Sequence, residues 1–154
     1  MGLDMYLSGK RYLNCYCDNG DKKKAQDISD MFPELHGWQD EGNSVVKEVI
    51  IRVGYWRKAN AIHKWFVDNI QKGKDDCNPY YVSRKSLIEL RGECDKALQN
   101  RDNAAGILPP QEGFFFGGTD IDDWYFRDLE NTINIVDKLL TLPDDWSFEY
   151  QSSW

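Results

Sequence analysis

Apolar and polar residues alternate from the start of the chain. Leu3, Met5 and Leu7 fall on one side and Asp4 and Tyr6 on the other, the pattern of a half-buried strand. A longer alternation runs from Val45 to Trp56. Val45, Val49, Ile51, Val53 and Tyr55 share one face, interrupted by Lys47. Val46, Glu48, Ile50, Arg52, Gly54 and Trp56 share a mixed face suited to lining a cleft. The period then changes. Over 57–71 the apolar stripe of Ala59, Ile62, Phe66 and Ile70 predicts a helix. Weaker helical character at 22–31 ends before Pro33. Tyr80, Tyr81 and Val82 form a short extended piece, and Ser83 is placed to cap a helix over 84–100 that buries Leu87, Leu90, Cys94, Ala97 and Leu98. The Gly113-Phe114-Phe115-Phe116-Gly117-Gly118 segment reads as a strand or hairpin edge. Thr119 reads as the cap of a last helix over 120–141, with Asp120, Asp122 and Asp123 suiting its dipole. The tail alternates again through Trp146, Phe148 and Tyr150.

These elements predict an α+β fold, a small and mostly antiparallel sheet covered by three main helices, in one globular domain spanning 1–154. A parallel α/β sheet is the competing arrangement, because helices and strands alternate along the chain. The 154 residues are 41% hydrophobic and 29% charged, an ordinary globular composition, and 14% aromatic, which is high enough to supply more than a core. A net charge of -7 with no dense basic face argues against nucleic-acid binding. The first residues lack the features of a secretory signal, and no run approaches the ~20 apolar residues that span a bilayer. Cytoplasmic residence is therefore expected, with no membrane contact. Cys15, Cys17, Cys77 and Cys94 are expected to be thiols.

Candidate chemistry concentrates at the second strand–helix junction. Trp56 offers a ring for stacking, Arg57 and Lys58 offer cations beside a helix N-terminus, and Asn60 and His63 offer directional hydrogen bonds. Together they suit a ligand with a flat ring and an anionic group, such as a nucleotide. Read singly, a junction Trp is commonly packing and a His on an apolar face commonly a core residue. Asp4 and Tyr6 with Glu48 and Arg52 form a second potential wall if the first two strands pair, with an Asp4–Arg52 ion pair as the plainer reading. Tyr80, Tyr81 and Arg84 form a third, with at most one of the two tyrosines facing a site. No cofactor is implied. Cys15-Tyr16-Cys17 is spaced too closely for a zinc pair, and His36 and His63 do not form a paired-His motif, so no metal site is expected either. No phosphate loop or nucleophile elbow is present, and no catalytic residue is assigned. The surplus aromatics, Phe114 to Phe116 above all, predict a homo-oligomer, at least a dimer.

The stretches MGLDMYL at 1–7, GYWRKANAIHKWF at 54–66, YYVS at 80–83, GFFFG at 113–117 and the closing YQSSW together resemble a family of small bacteriophage proteins, over essentially the whole chain. That family carries no assigned active-site residues. What the resemblance implies is an accessory protein acting in the host cytoplasm. Non-enzymatic sequestration of a nucleotide-derived signal, including one used in host immunity, fits the junction chemistry. A protein-directed inhibitor of a host enzyme, or a small nucleotide hydrolase or transferase using His63, are the alternatives.

Overall fold

A computed structural model describes residues 2–16, 20–34 and 46–154. Among the described residues it shows a four-stranded antiparallel sheet and five helices, an α+β fold. In chain order these are β1 (Asp4–Tyr12), α1 (Asp21–Ser29), β2 (Glu48–Arg57), α2 (Asn60–Asn69), β3 (Tyr80–Val82), α3 (Arg84–Gln99), the four-residue α4 (Ala104–Ile107), α5 (Asp123–Leu140) and β4 (Ser147–Ser153). The sheet order is β2-β1-β4-β3, and β3 pairs antiparallel with β4 so that Tyr81 lies opposite Glu149. The chain divides into two compact units, residues 1–9 with 52–154, and residues 10–51.

The β1 and α3 stripes that the sequence predicts supply part of the first unit's core. Leu3, Met5 and Leu7 of β1 and Phe148 and Tyr150 of β4 are buried. So are Leu87, Leu90, Cys94 and Ala97 of α3, and Leu129, Val136 and Leu139 of α5. Ser83 caps α3 as expected, its hydroxyl accepting the Ser86 N–H at 3.0 Å. The α5 cap is Asp122 rather than Thr119: its carboxylate accepts the Trp124 and Tyr125 N–H groups at 2.9 and 3.0 Å. In the second unit the carboxylate of buried Asp21 accepts from Arg11 at 2.7 Å and from the Asn14 N–H at 3.1 Å. Cys17 and His36, weighed and set aside as metal ligands, lie outside the described residues, as does Val45 of the predicted strand.

Two expectations are corrected. The segment 113–118 is a turn, with Phe116 N–H bonded to Gly113 O at 3.0 Å and Gly117 at a left-handed φ of 89°. Its carbonyls bond to residues distant in sequence, Phe115 O accepting the Leu3 N–H and Phe116 O the Asn60 side chain. In β2, Arg52 and Tyr55 both contact Tyr6, although an odd spacing puts residues on opposite faces of a regular strand. The pleat shifts by one residue between them, as at a β-bulge. Gly54 and Trp56 consequently face the core, and Tyr55 faces out. Gly54 is required there, because a Cβ would stand 2.8 Å from Ile135 of α5.

Candidate functional site

A cavity of about 350 Å³ lies within the first unit, where the start of α2 meets the start of α5. Arg57, Lys58, Asn60, Ala61 and Ile62 line one side. Gly117 and Gly118 come from the turn, and Asp120, Asp122, Trp124, Tyr125, Asp128 and Leu129 line the other side.

The α2 start is bare. Ala59 stands at the cap position and has no side chain that can accept a hydrogen bond. Asn60 N–H bonds locally to Lys58 O at 2.8 Å and His63 N–H to Ala59 O at 2.9 Å, whereas the Ala61 and Ile62 N–H groups meet no acceptor among the described residues. Such donors, with the positive end of the helix dipole behind them, favour an anion. Arg57 and Lys58 add two cations whose side chains make no ion pair or hydrogen bond among the described residues. Lys58 adopts a left-handed φ of 61°, held by its N–H on Leu3 O at 2.8 Å. Its stem is confined by two glycines: a Cβ on Gly2 would stand 3.2 Å from its Cε, and one on Gly117 would stand 3.3 Å from its Cβ.

Asn60 is the hinge of the site. It is 6% exposed, and its Nδ2 donates to Gly118 O at 2.7 Å and Phe116 O at 3.2 Å, tying the turn to α2. With both amide hydrogens spoken for, its Oδ1 is left without a donor among the described residues. Across the cavity the half-buried carboxyl of Asp128 is pushed up to about 6, by burial first and then by the charge of Asp122. Trp124 is 70% exposed and stacks against the Arg127 guanidinium 5.0 Å from its ring centre, so one face of the ring is backed by protein.

The other expected site residues go elsewhere. Trp56 is 2% exposed in the core, its Nε1–H donating to Thr132 Oγ1 at 2.9 Å and its ring edge-on to Phe66. It has no free face for stacking, because β2 continues to Arg57 and the pleat, not a helical register, sets its direction. His63 is fully buried and does not line the cavity. Its Nδ1 is 2.8 Å from the Tyr150 hydroxyl and its Nε2 is 3.1 Å from Asp75 Oδ1. A carboxylate only accepts, and burial holds the Tyr150 hydroxyl well above its ordinary range, so the neutral ring donates from Nε2 and accepts at Nδ1. Burial also lowers the His63 pKa, against the opposing charge of Asp75.

Asp4 accepts the Tyr55 hydroxyl and Arg52 lies 4.3 Å over the Tyr6 ring, so these residues form a sheet-face cluster and the expected Asp4–Arg52 pair is replaced. Tyr81 is exposed on β3. Arg84 closes the C-terminus of α5, donating to Leu142 O at 2.6 Å and Pro143 O at 2.5 Å. The structure thus brings Arg57, Lys58 and Asn60 to the cavity and adds Trp124, Asp128 and the Gly117-Gly118 turn, which sequence reasoning missed. The glycine pair was the one signal available for the turn. No family model, curated protein or solved structure matches the chain.

Proposed function

We propose that this chain is a small bacteriophage protein that binds a nucleotide-derived anion in the α2–α5 cavity and releases it unchanged, sequestering a signal such as one used by host immunity. The supporting observation is the uncapped α2 start, with two unused N–H donors and two unpaired cations, opening on a cavity of ligand size. An anionic group fits the N–H donors, Arg57 and Lys58. A planar ring fits the free face of Trp124, which takes the stacking role first assigned to Trp56. Holding rather than turnover is supported by His63, whose ring nitrogens are both engaged in the core.

A thermal-shift screen over nucleotides and cyclic nucleotide signals tests the reading, with recovery of bound ligand after heat denaturation. An upward shift and an intact recovered ligand are expected. No shift, or recovery of cleaved products alone, overturns it.

A second reading, docking on a host enzyme as an inhibitor, is favoured by Phe114, 96% exposed at the tip of the turn. A stoichiometric protein partner in a host-lysate pull-down, lost on Phe114→Ser, would support it. The same ring is the proposed contact for self-association as a dimer, which light scattering tests: a monomer of 18.0 kDa at micromolar concentration would rule it out.

A further inference from the structure

Resting on that reading, we infer that the cavity selects a mononucleotide-sized ligand that carries hydrogen-bond donors as well as its anion, with Asn60 Oδ1 and the Asp128 carboxylate reading those donors. A site for a bare anion would present donors and cations alone. This cavity instead adds the Asp128 carboxylate across from the α2 N-terminus and the fixed Asn60 amide oxygen beside it. Asn60 is more than nine-tenths buried, and its amide cannot turn over without giving up both turn carbonyls, so the oxygen stays an acceptor. Asp128 makes no side-chain hydrogen bond or ion pair among the described residues although it is half-buried. Neither acceptor has a donor among the described residues and neither is sealed from solvent, so a ligand that supplies hydroxyl or amino hydrogens takes the place of water on them.

Inorganic phosphate has the anion without the sugar hydroxyl and base amino donors, and a nucleoside has those donors without the anion. A nucleoside monophosphate has both, with a base for Trp124. The volume lies near the lower end of the ~300–1,000 Å³ typical of ligand sites, which suits one nucleotide unit rather than two.

Calorimetric titration of the full chain with AMP, 2′-deoxyAMP, IMP and inorganic phosphate tests this, on the wild type and on Asp128→Asn. AMP is expected to bind at least tenfold tighter than phosphate. Removing the sugar donor (2′-deoxyAMP) or the amine donor (IMP) is expected to weaken binding roughly tenfold in at least one case, which also says which donor is read. Asp128→Asn should move the two probes in opposite directions: AMP weakens roughly tenfold, while phosphate, relieved of a repelling charge, strengthens. The inference falls if phosphate binds within about threefold of AMP, if neither donor deletion weakens binding, or if Asp128→Asn leaves AMP affinity unchanged. If none of the four compounds binds the wild type, the nucleotide reading falls and takes this inference with it.

Discussion

The two helix starts that face each other across the cavity are built in opposite ways. The α5 start is sealed: Asp122 accepts two of its orphan N–H groups, and the neighbouring side chains are acidic or aromatic. The α2 start has alanine where a capping side chain belongs, leaves two N–H groups unused, and is flanked by Arg57 and Lys58. A capping side chain contributes about 1 kcal/mol, so the bare end is the less stable design. What distinguishes it is the open volume in front of it. The difference teaches that the cavity is bipolar, with donors and cations on one wall and carboxylates on the other.

The largest effect that separates the walls should come from their tryptophans. Trp56→Ala behind α2 removes a filled core position and is expected to destabilise by ~3–5 kcal/mol in urea unfolding. Trp124→Ala on the α5 side should leave the melting temperature nearly unchanged and weaken nucleotide binding roughly ten- to a hundredfold, the loss of one stacking contact. If Trp56→Ala instead folded normally and lost only ligand, the assignment of the two rings would be reversed.

Next comes the charge across the gap. Folded Asp128 holds its proton more tightly than the unfolded chain does, near 6 against an ordinary 3.8. Its charged form, penalised by burial first and by the charge of Asp122 second, therefore lowers stability above that range, and the penalty fades as pH falls from about 6 toward 4. Asp128→Asn should stabilise the protein at pH 8 by on the order of 1 kcal/mol, allowing for partial solvent screening, and by little at pH 4. Equal stabilisation at both pH values would mean that the gain is not electrostatic.

His63 sits one turn beyond the bare α2 start and behaves as its opposite, a polar group closed on all sides by Asp75, Tyr150 and Phe116. Its pKa is below the ordinary 6.5, so the neutral ring's contribution is fully present above 6.5 and is lost as pH falls toward the lowered folded value. Ring nitrogen chemical shifts, assigned with a His36→Gln variant, should show a neutral ring with its proton on Nε2 at pH 6.5. A half-charged ring there would contradict the buried geometry.

Ser83→Ala should give a smaller change, about 1 kcal/mol from the capped start of α3, with nucleotide affinity untouched because Ser83 is remote from the cavity.

Helical stripes such as Leu87, Leu90, Cys94 and Ala97 were legible because period and burial are local properties of a chain. Arg57, Lys58 and Asn60 were legible as a group because a strand visibly gives way to a helix there. The direction of Trp56 was not, since it depends on whether the helix starts at 57 or at 60, and that choice turns the side chain from cavity to core. The turn at 113–118 was misread because its hydrogen-bond partners, Leu3 and Asn60, are far away in sequence. Trp124 and Asp128 look like ordinary surface residues of α5. Only the position of another helix start makes them a wall.

The backbone of Lys58 has a consequence for how this protein would respond to selection. A lysine held at φ 61° carries strain of roughly 1 kcal/mol that a glycine would not. A library screened purely for heat resistance should therefore enrich Lys58→Gly, while one screened for ligand retention should purge it. Divergence of the two screens at this codon would separate what the fold prefers from what the cavity demands.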